Sequence, residues 1–251
     1  MKRRNGQILL ITVMILATIL TVVLSVSFRS VTETQITKLE EENQKALAAA
    51  EAAIETSLKT GSATIFGSGS LSNITGFSGG ASLTTTTTNS FTTPTIPQDA
   101  SYTFYLGDYN SETHEIDASL DQPIEICFQS PSPKPALEIT LVKTTGIKKY
   151  VIDPDKLTRI LEAELPSSIC SNSSYSYSYP IPGADIGTDA KILFVRTLYQ
   201  GGRLYFSRST NLPLQGKTIS SSAVSQTGVS KKVTLFQSYP QIPAEFFTTT
   251  F

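Results

Sequence analysis

The hydrophobic pattern of this chain is dominated by one run, Ile8 to Phe28, which contains no charged residue, glycine or proline. Its only polar side chains are Thr12, Thr18, Thr21, Ser25 and Ser27, whose hydroxyls can bond to the carbonyls of their own helix. The run is about 21 residues long, close to the ~20 needed to cross a ~30 Å hydrocarbon layer as a helix. No glycine or proline follows until after Lys59, and the later half is rich in Ala, Glu, Gln, Lys and Leu, all good helix formers. The pattern predicts one helix over 7–59, roughly 80 Å long at ~1.5 Å per residue. In its outer half Leu39, Ala46, Leu47, Ala50, Ala53, Ile54 and Leu58 recur at helical spacing, with acids and bases on the other faces. That stripe is expected to lie on the chain's own domain beyond Ala46.

Residues 60–100 change character: Gly61, Gly67, Gly69, Gly76, Gly79, Gly80 and the threonines Thr84–Thr88 predict a loop or linker with room for one short strand. From Ser101 the period becomes two. Tyr102–Leu106, Ile124–Phe128, Leu137–Val142 and Ile147–Ile152 read as strands, the last two joined by a short turn at Gly146. Ile192–Leu198 and Arg203–Phe206 read as a hairpin turned at Gln200-Gly201-Gly202, and Lys217–Ile219 with Val229–Phe236 as a final pair. Asp155–Leu165 reads as a single exposed helix ended by Pro166. The expected fold class is α+β: a long N-terminal helix, half of it transmembrane, then an antiparallel sandwich or curved sheet over 101–251. A β domain of that size buries ~68–70% of its unfolded surface, enough to fold alone.

Charge adds an orientation. Lys2, Arg3 and Arg4 precede the apolar run, and Arg29, Glu33 and Lys38 follow it as a mixed set. The N-terminus is therefore expected inside and the rest outside the cytoplasmic membrane. Twenty basic residues against 21 acidic ones, and a pI near 5.9, argue against direct nucleic-acid binding. Three readings fit the apolar run alone: a signal peptide, a permanent single-pass anchor and an apolar helix that stays on the mature protein after a cut just ahead of it. A signal peptide has an apolar core of only ~7–15 residues and a small-residue cleavage site, and Val23-Leu24-Ser25 is a mediocre one. Gly6 standing directly before the run, and the unbroken helix after it, favour the third reading.

The chemistry-bearing residues are few. Cys127 and Cys170 are the only cysteines. In an exported domain they read as one disulfide worth ~3–4 kcal/mol on the chain-entropy model, the alternative being two reduced buried thiols. His114 is the only histidine and lies in a polar stretch that predicts an exposed loop. No nucleophile elbow, phosphate loop or dinucleotide fingerprint occurs, so no enzyme activity and no cofactor are expected. Asp108, Asn110 and Glu112 alternate as oxygen ligands but lack the glycine and distant glutamate of a calcium loop, and no metal is expected. Tyr175, Tyr177 and Tyr179 alternate on one strand, either facing a core or forming a surface contact patch.

The N-terminal region resembles type IV pilin-like proteins, most of all PilX-type minor pilins and the K-type minor pseudopilins of type II secretion. The resemblance rests on Arg4-Asn5-Gly6, on Gln7-Ile8-Leu9-Leu10-Ile11-Thr12-Val13, on Phe28-Arg29-Ser30-Val31-Thr32-Glu33 and on Ala48-Ala49-Ala50-Glu51-Ala52-Ala53-Ile54-Glu55. It covers roughly residues 1–58 and implies a leader, residues 1–6, removed after Gly6 by a prepilin peptidase, with Gln7 becoming a methylated N-terminus. Ile8, Leu9, Leu10, Ile11, Val13, Leu16 and Leu20 would then pack first in the membrane and later among other pilin-like subunits. Major pilins carry Glu where this chain has Ile11, and a subunit lacking it resembles those at the tip or in assembly priming. The expected function is a structural subunit of a pilus-like filament at the cell surface, possessing no catalytic residues. The alternative is a membrane-anchored extracytoplasmic binding or adhesion module that does not polymerise.

Overall fold

The computed structural model describes residues 5–243. Helix α1 spans Asn5–Thr60 without a break, roughly 84 Å at ~1.5 Å per residue, as the breaker-free sequence predicts. It ends where Gly61 takes a φ of 65° and returns its N–H to the Ser57 carbonyl at 2.9 Å, a left-handed cap that an L side chain would strain. The chain forms two compact units, one running through Leu83 and rejoined by Ile219–Leu235, the other Thr84–Thr218 with the chain from Phe236 on.

In the first unit the end of α1, from Ala46 on, lies on a four-stranded sheet ordered β1-β2-β11-β12, made of Thr64–Ile65, Phe77–Thr84, Gly216–Ser225 and Ser230–Ser238. Ala46, Ala49, Ala50, Ala53, Ile54 and Ser57 are the buried helix positions. Four alanines leave that face nearly flat, and it packs on Phe66, Leu71, Ala81, Ile219 and Ala223. Each large side chain buried there contributes ~1.5–3 kcal/mol. The buried face is therefore narrower than the expected stripe: Leu39, Leu47 and Leu58 stand exposed, because the strands meet only the alanine side of the helix. Glu42 accepts hydrogen bonds from the Ser225 and Thr227 hydroxyls and fastens the β11–β12 turn to α1.

The second unit holds two four-stranded sheets. One is ordered β3-β10-β5-β8 (Ser90–Thr92, Leu204–Ser207, Ile124–Phe128, Tyr177–Ile181), the other β4-β9-β6-β7 (Ser101–Tyr105, Ala190–Leu198, Ala136–Lys143, Gly146–Ile152). All of their described pairings are antiparallel. Inward residues of both sheets share one core, and Phe104 of β4 stacks on Phe206 of β10 with ring centroids 4.1 Å apart.

Four expectations need correction. The stretch 60–100 is not a loop with one strand: it carries β1, β2 and β3, with Phe66, Leu71 and Ala81 buried. Gly79 and Gly80 admit this, since a Cβ there would sit 2.3 Å from the Ser222 carbonyl oxygen and 2.0 Å from that of Thr64. Ile192–Leu198 and Arg203–Phe206 do not form a hairpin, because β9 pairs with β4 and β6 whereas β10 pairs with β3 and β5. Tyr199, at φ 67°, turns the chain from one sheet to the other.

Asp155–Leu165 is no helix. Only Lys156–Thr158 makes a 3-10 turn, and the segment is pulled back along β7 by Glu164 N–H to Val151 O and Asp153 N–H to Glu164 O. Arg159 bridges Asp153 and Asp155 and lies 4.4 Å over the Tyr199 ring. Finally, the middle of the last strand pair groups with α1, so the helix and the β domain do not divide at residue 101.

Candidate functional site

The first half of α1 is a candidate interaction surface in its own right. Every described side chain from Leu9 to Phe28 is exposed, Leu16 and Phe28 both at 71%. Thr12 donates to the Leu9 carbonyl at 2.8 Å, Thr18 to that of Ile15 at 2.8 Å and Thr21 to that of Thr18 at 2.8 Å. Those hydroxyls are turned onto the helix itself, which leaves the outer surface apolar. By length and composition the segment can cross a membrane. Leu9, Leu10, Ile11, Val13, Leu16 and Leu20 all lie on it. Asn5, Gly6, Gln7 and Ile8 belong to the helix backbone, their side chains outside the described residues, as are Met1–Arg4 altogether. The first charged contact beyond the span is Arg29 Nε to Glu33 Oε1 at 2.9 Å.

Cys127 and Cys170 form a disulfide, their sulfurs 2.11 Å apart. Cys127 is fully buried on β5, and the bond secures the segment that precedes β8. Glu125 completes an acid–sulfur cluster with them, but both sulfurs are spent in the disulfide and Glu125 accepts hydrogen bonds from Ser171 and Ser207.

Of the three alternating tyrosines, Tyr177 and Tyr179 fall on β8 and pack half-buried against the core. Tyr179 donates to Glu164 Oε2 at 2.6 Å. Tyr175 lies before the strand and stacks on Tyr205 at 5.4 Å. The core-facing reading fits two of them, and the three rings do not make one open patch. His114 is exposed, its Nδ1 2.8 Å from the Tyr109 hydroxyl. Asn110 Oδ1 accepts the backbone N–H groups of Glu112 and Thr113, so it shapes the loop that the alternating oxygens occupy.

A feature invisible in the sequence closes the outer edge of β4. Thr103 N–H donates to Gln241 Oε1 at 2.8 Å, and Gln241 Nε2 donates back to Thr103 O at 3.4 Å. Two residues on, Tyr105 N–H donates to Gln215 Oε1 at 2.8 Å and Gln215 Nε2 to Tyr105 O at 2.9 Å. Two side-chain amides thus take the place of a neighbouring strand. Gln215→Ala is expected to cost about 1–3 kcal/mol by stranding the buried Tyr105 amide, and to promote self-association through the opened edge. Urea unfolding and light scattering on the full chain check this; unchanged stability and a monodisperse protein would contradict it.

Beside that edge Tyr105, Tyr109 and Tyr239 form a ring cluster with centroids 5.0–5.6 Å apart. Burial, followed by the nearness of Tyr109 and Tyr239, pushes the Tyr105 phenol up to about 12 from its ordinary 10.0. Burial likewise raises Tyr239, with Asp108 adding to it. A phenol raised by folding stabilises the native state fully below its unfolded value, and that stability is lost as pH climbs through the folded value. Stability is therefore expected to fall between pH 10 and about 12, as urea unfolding followed across that range would show, and Tyr105→Phe is expected to lessen the fall. A fall in stability over that range that is the same in Tyr105→Phe would contradict this.

No family model matches the chain, and no curated protein sequence or solved structure matches it either.

Proposed function

We propose that this protein is a structural subunit of a type IV pilus-like filament, a minor pilin or minor pseudopilin acting at the tip or in assembly priming, without catalytic chemistry of its own. A long apolar N-terminal helix followed by an antiparallel β domain is compatible with a pilin-like architecture. One observation carries the reading: α1 is a single unbroken helix that buries one face on its own sheet only between Ala46 and Ser57 and whose first half has no described side chain buried. Such a helix needs an external apolar partner, first lipid and then the corresponding helices of other subunits, against which it packs by van der Waals contact. Ile11, apolar and 52% exposed, supplies no carboxylate to a neighbour's N-terminal amine, which supports a place at a filament end rather than in a repeating shaft.

In this reading the basic residues before the span hold the N-terminus inside, a prepilin peptidase cuts after Gly6, and the β domain projects outward. Intact-mass and N-terminal mass spectrometry of the protein extracted from membranes tests it. The expected species begins at a methylated Gln7. A species retaining Met1, or one cut near Ser25–Ser27, would instead favour an anchored or secreted binding module that never polymerises.

A further inference from the structure

We infer that the outer edge of β3 is a docking site for a short extended peptide carrying an acidic side chain. In an antiparallel ladder alternate residues point their N–H and C=O groups away from the partner strand. Thr93 N–H bonds to Leu204 O and Arg208 N–H to Asn89 O, so the residues between, Ser90 and Thr92, direct theirs away from β10. The Ser90 carbonyl takes the Thr88 hydroxyl at 2.6 Å. Among the described residues the Ser90 N–H and both main-chain groups of Thr92 have no main-chain partner, and they are placed to engage a further strand.

The other outer strands of this unit are met differently. Two glutamines seal β4. Glu164 covers β7 at Val151, and Ser167 exchanges both main-chain hydrogen bonds with Ser178 on β8. Strand β3 borders an open groove of about 560 Å3, all of whose lining residues belong to this unit. Its size is that of a ligand cleft rather than a packing defect.

The groove's chemistry selects the occupant. Main-chain donors and an acceptor at two-residue spacing select an extended polypeptide, the strand-addition mode of recognition. Phe91, Leu214 and Phe236 offer half-buried apolar wall for alternate side chains. Arg203 is the single charged lining residue; its Nε donates to Thr95 Oγ1 at 3.3 Å, and no carboxylate pairs with it among the described residues. An acidic side chain on the incoming strand would complete it.

A phage-displayed library of random linear peptides, selected on the full chain in detergent, tests the assignment. The expected outcome is enrichment of alternating apolar sequences with one Asp or Glu. Synthetic copies should lose about tenfold or more in affinity when the groove-facing amides are N-methylated, the cost of a main-chain hydrogen bond or more. Arg203→Glu, an exposed change that spares the core, should weaken the acidic peptide and favour its Lys-substituted copy. Absence of enrichment over empty micelles, or binding indifferent to both N-methylation and Arg203→Glu, overturns the proposal. So does dimerisation of the chain through this edge that Arg203→Glu abolishes in place of peptide binding.

Discussion

Phe104→Ala is expected to destabilise the two-sheet unit by about 3–5 kcal/mol. Phe104 has no solvent exposure, and its ring lies nearly parallel to that of Phe206, at an interplanar angle of 11°. Phe91 leans on it from the side at 6.1 Å. Truncation would remove the contact that joins β4 of one sheet to β10 of the other, and the rings around it sit on strands fixed by their ladders, so the space cannot collapse. Urea unfolding of the full chain, followed by tertiary circular dichroism, measures the loss. A cost under about 1 kcal/mol would mean that the two sheets do not depend on this stack.

Removing both halves of the disulfide, Cys127→Ala with Cys170→Ala, is expected to cost ~3–4 kcal/mol on the chain-entropy model, given the 43-residue separation it closes. The segment it secures also edges β8 through Ser167 and contributes Ser171 to Glu125, so its release should loosen β8 before the rest of the unit. The same unfolding experiment with and without a reducing agent separates the two contributions. Reductant should lower the midpoint of the natural protein and leave that of the double variant unmoved. Equal midpoints for both proteins in either condition would show that the crosslink is thermodynamically silent.

What the sequence reveals here follows from how local each determinant is. Helix α1 and strand β5 are legible because their signals are continuous: fifty-odd positions without a breaker, and Ile124-Glu-Ile-Cys-Phe128 alternating without interruption. The disulfide is legible because two cysteines offer one pairing. The segment after Asp153 misleads because Leu157, Leu161 and Leu165 stand at helical spacing, yet they are exposed at 80%, 71% and 61%. Their period reflects no buried face, and Asp153, Asp155 and Arg159 set the backbone instead.

Neighbouring strands in sequence also need not be neighbours in a sheet. Tyr199-Gln200-Gly201-Gly202 has the composition of a hairpin turn but turns a corner between sheets. The glutamine seals on β4 lie beyond sequence reading altogether, since Gln215 and Gln241 act on residues 110 and 138 positions away. The same holds for the groove beside β3, where flanking walls come from the threonine-rich stretch and from the segment around Leu214. The apolar half of α1 is the reverse case: its exposure is what the sequence predicts, because nothing else in the chain is apolar enough over that length to cover it.

The central claim is that this exposed apolar helix ends among other such helices rather than in lipid. Mass spectrometry of filaments sheared from cells and freed of membrane tests it most directly. The account predicts peptides of this chain in the filament fraction, the first of them starting at a methylated Gln7. Filaments that lack the chain, while all of it stays in the membrane with residues 1–6 still attached, would contradict it.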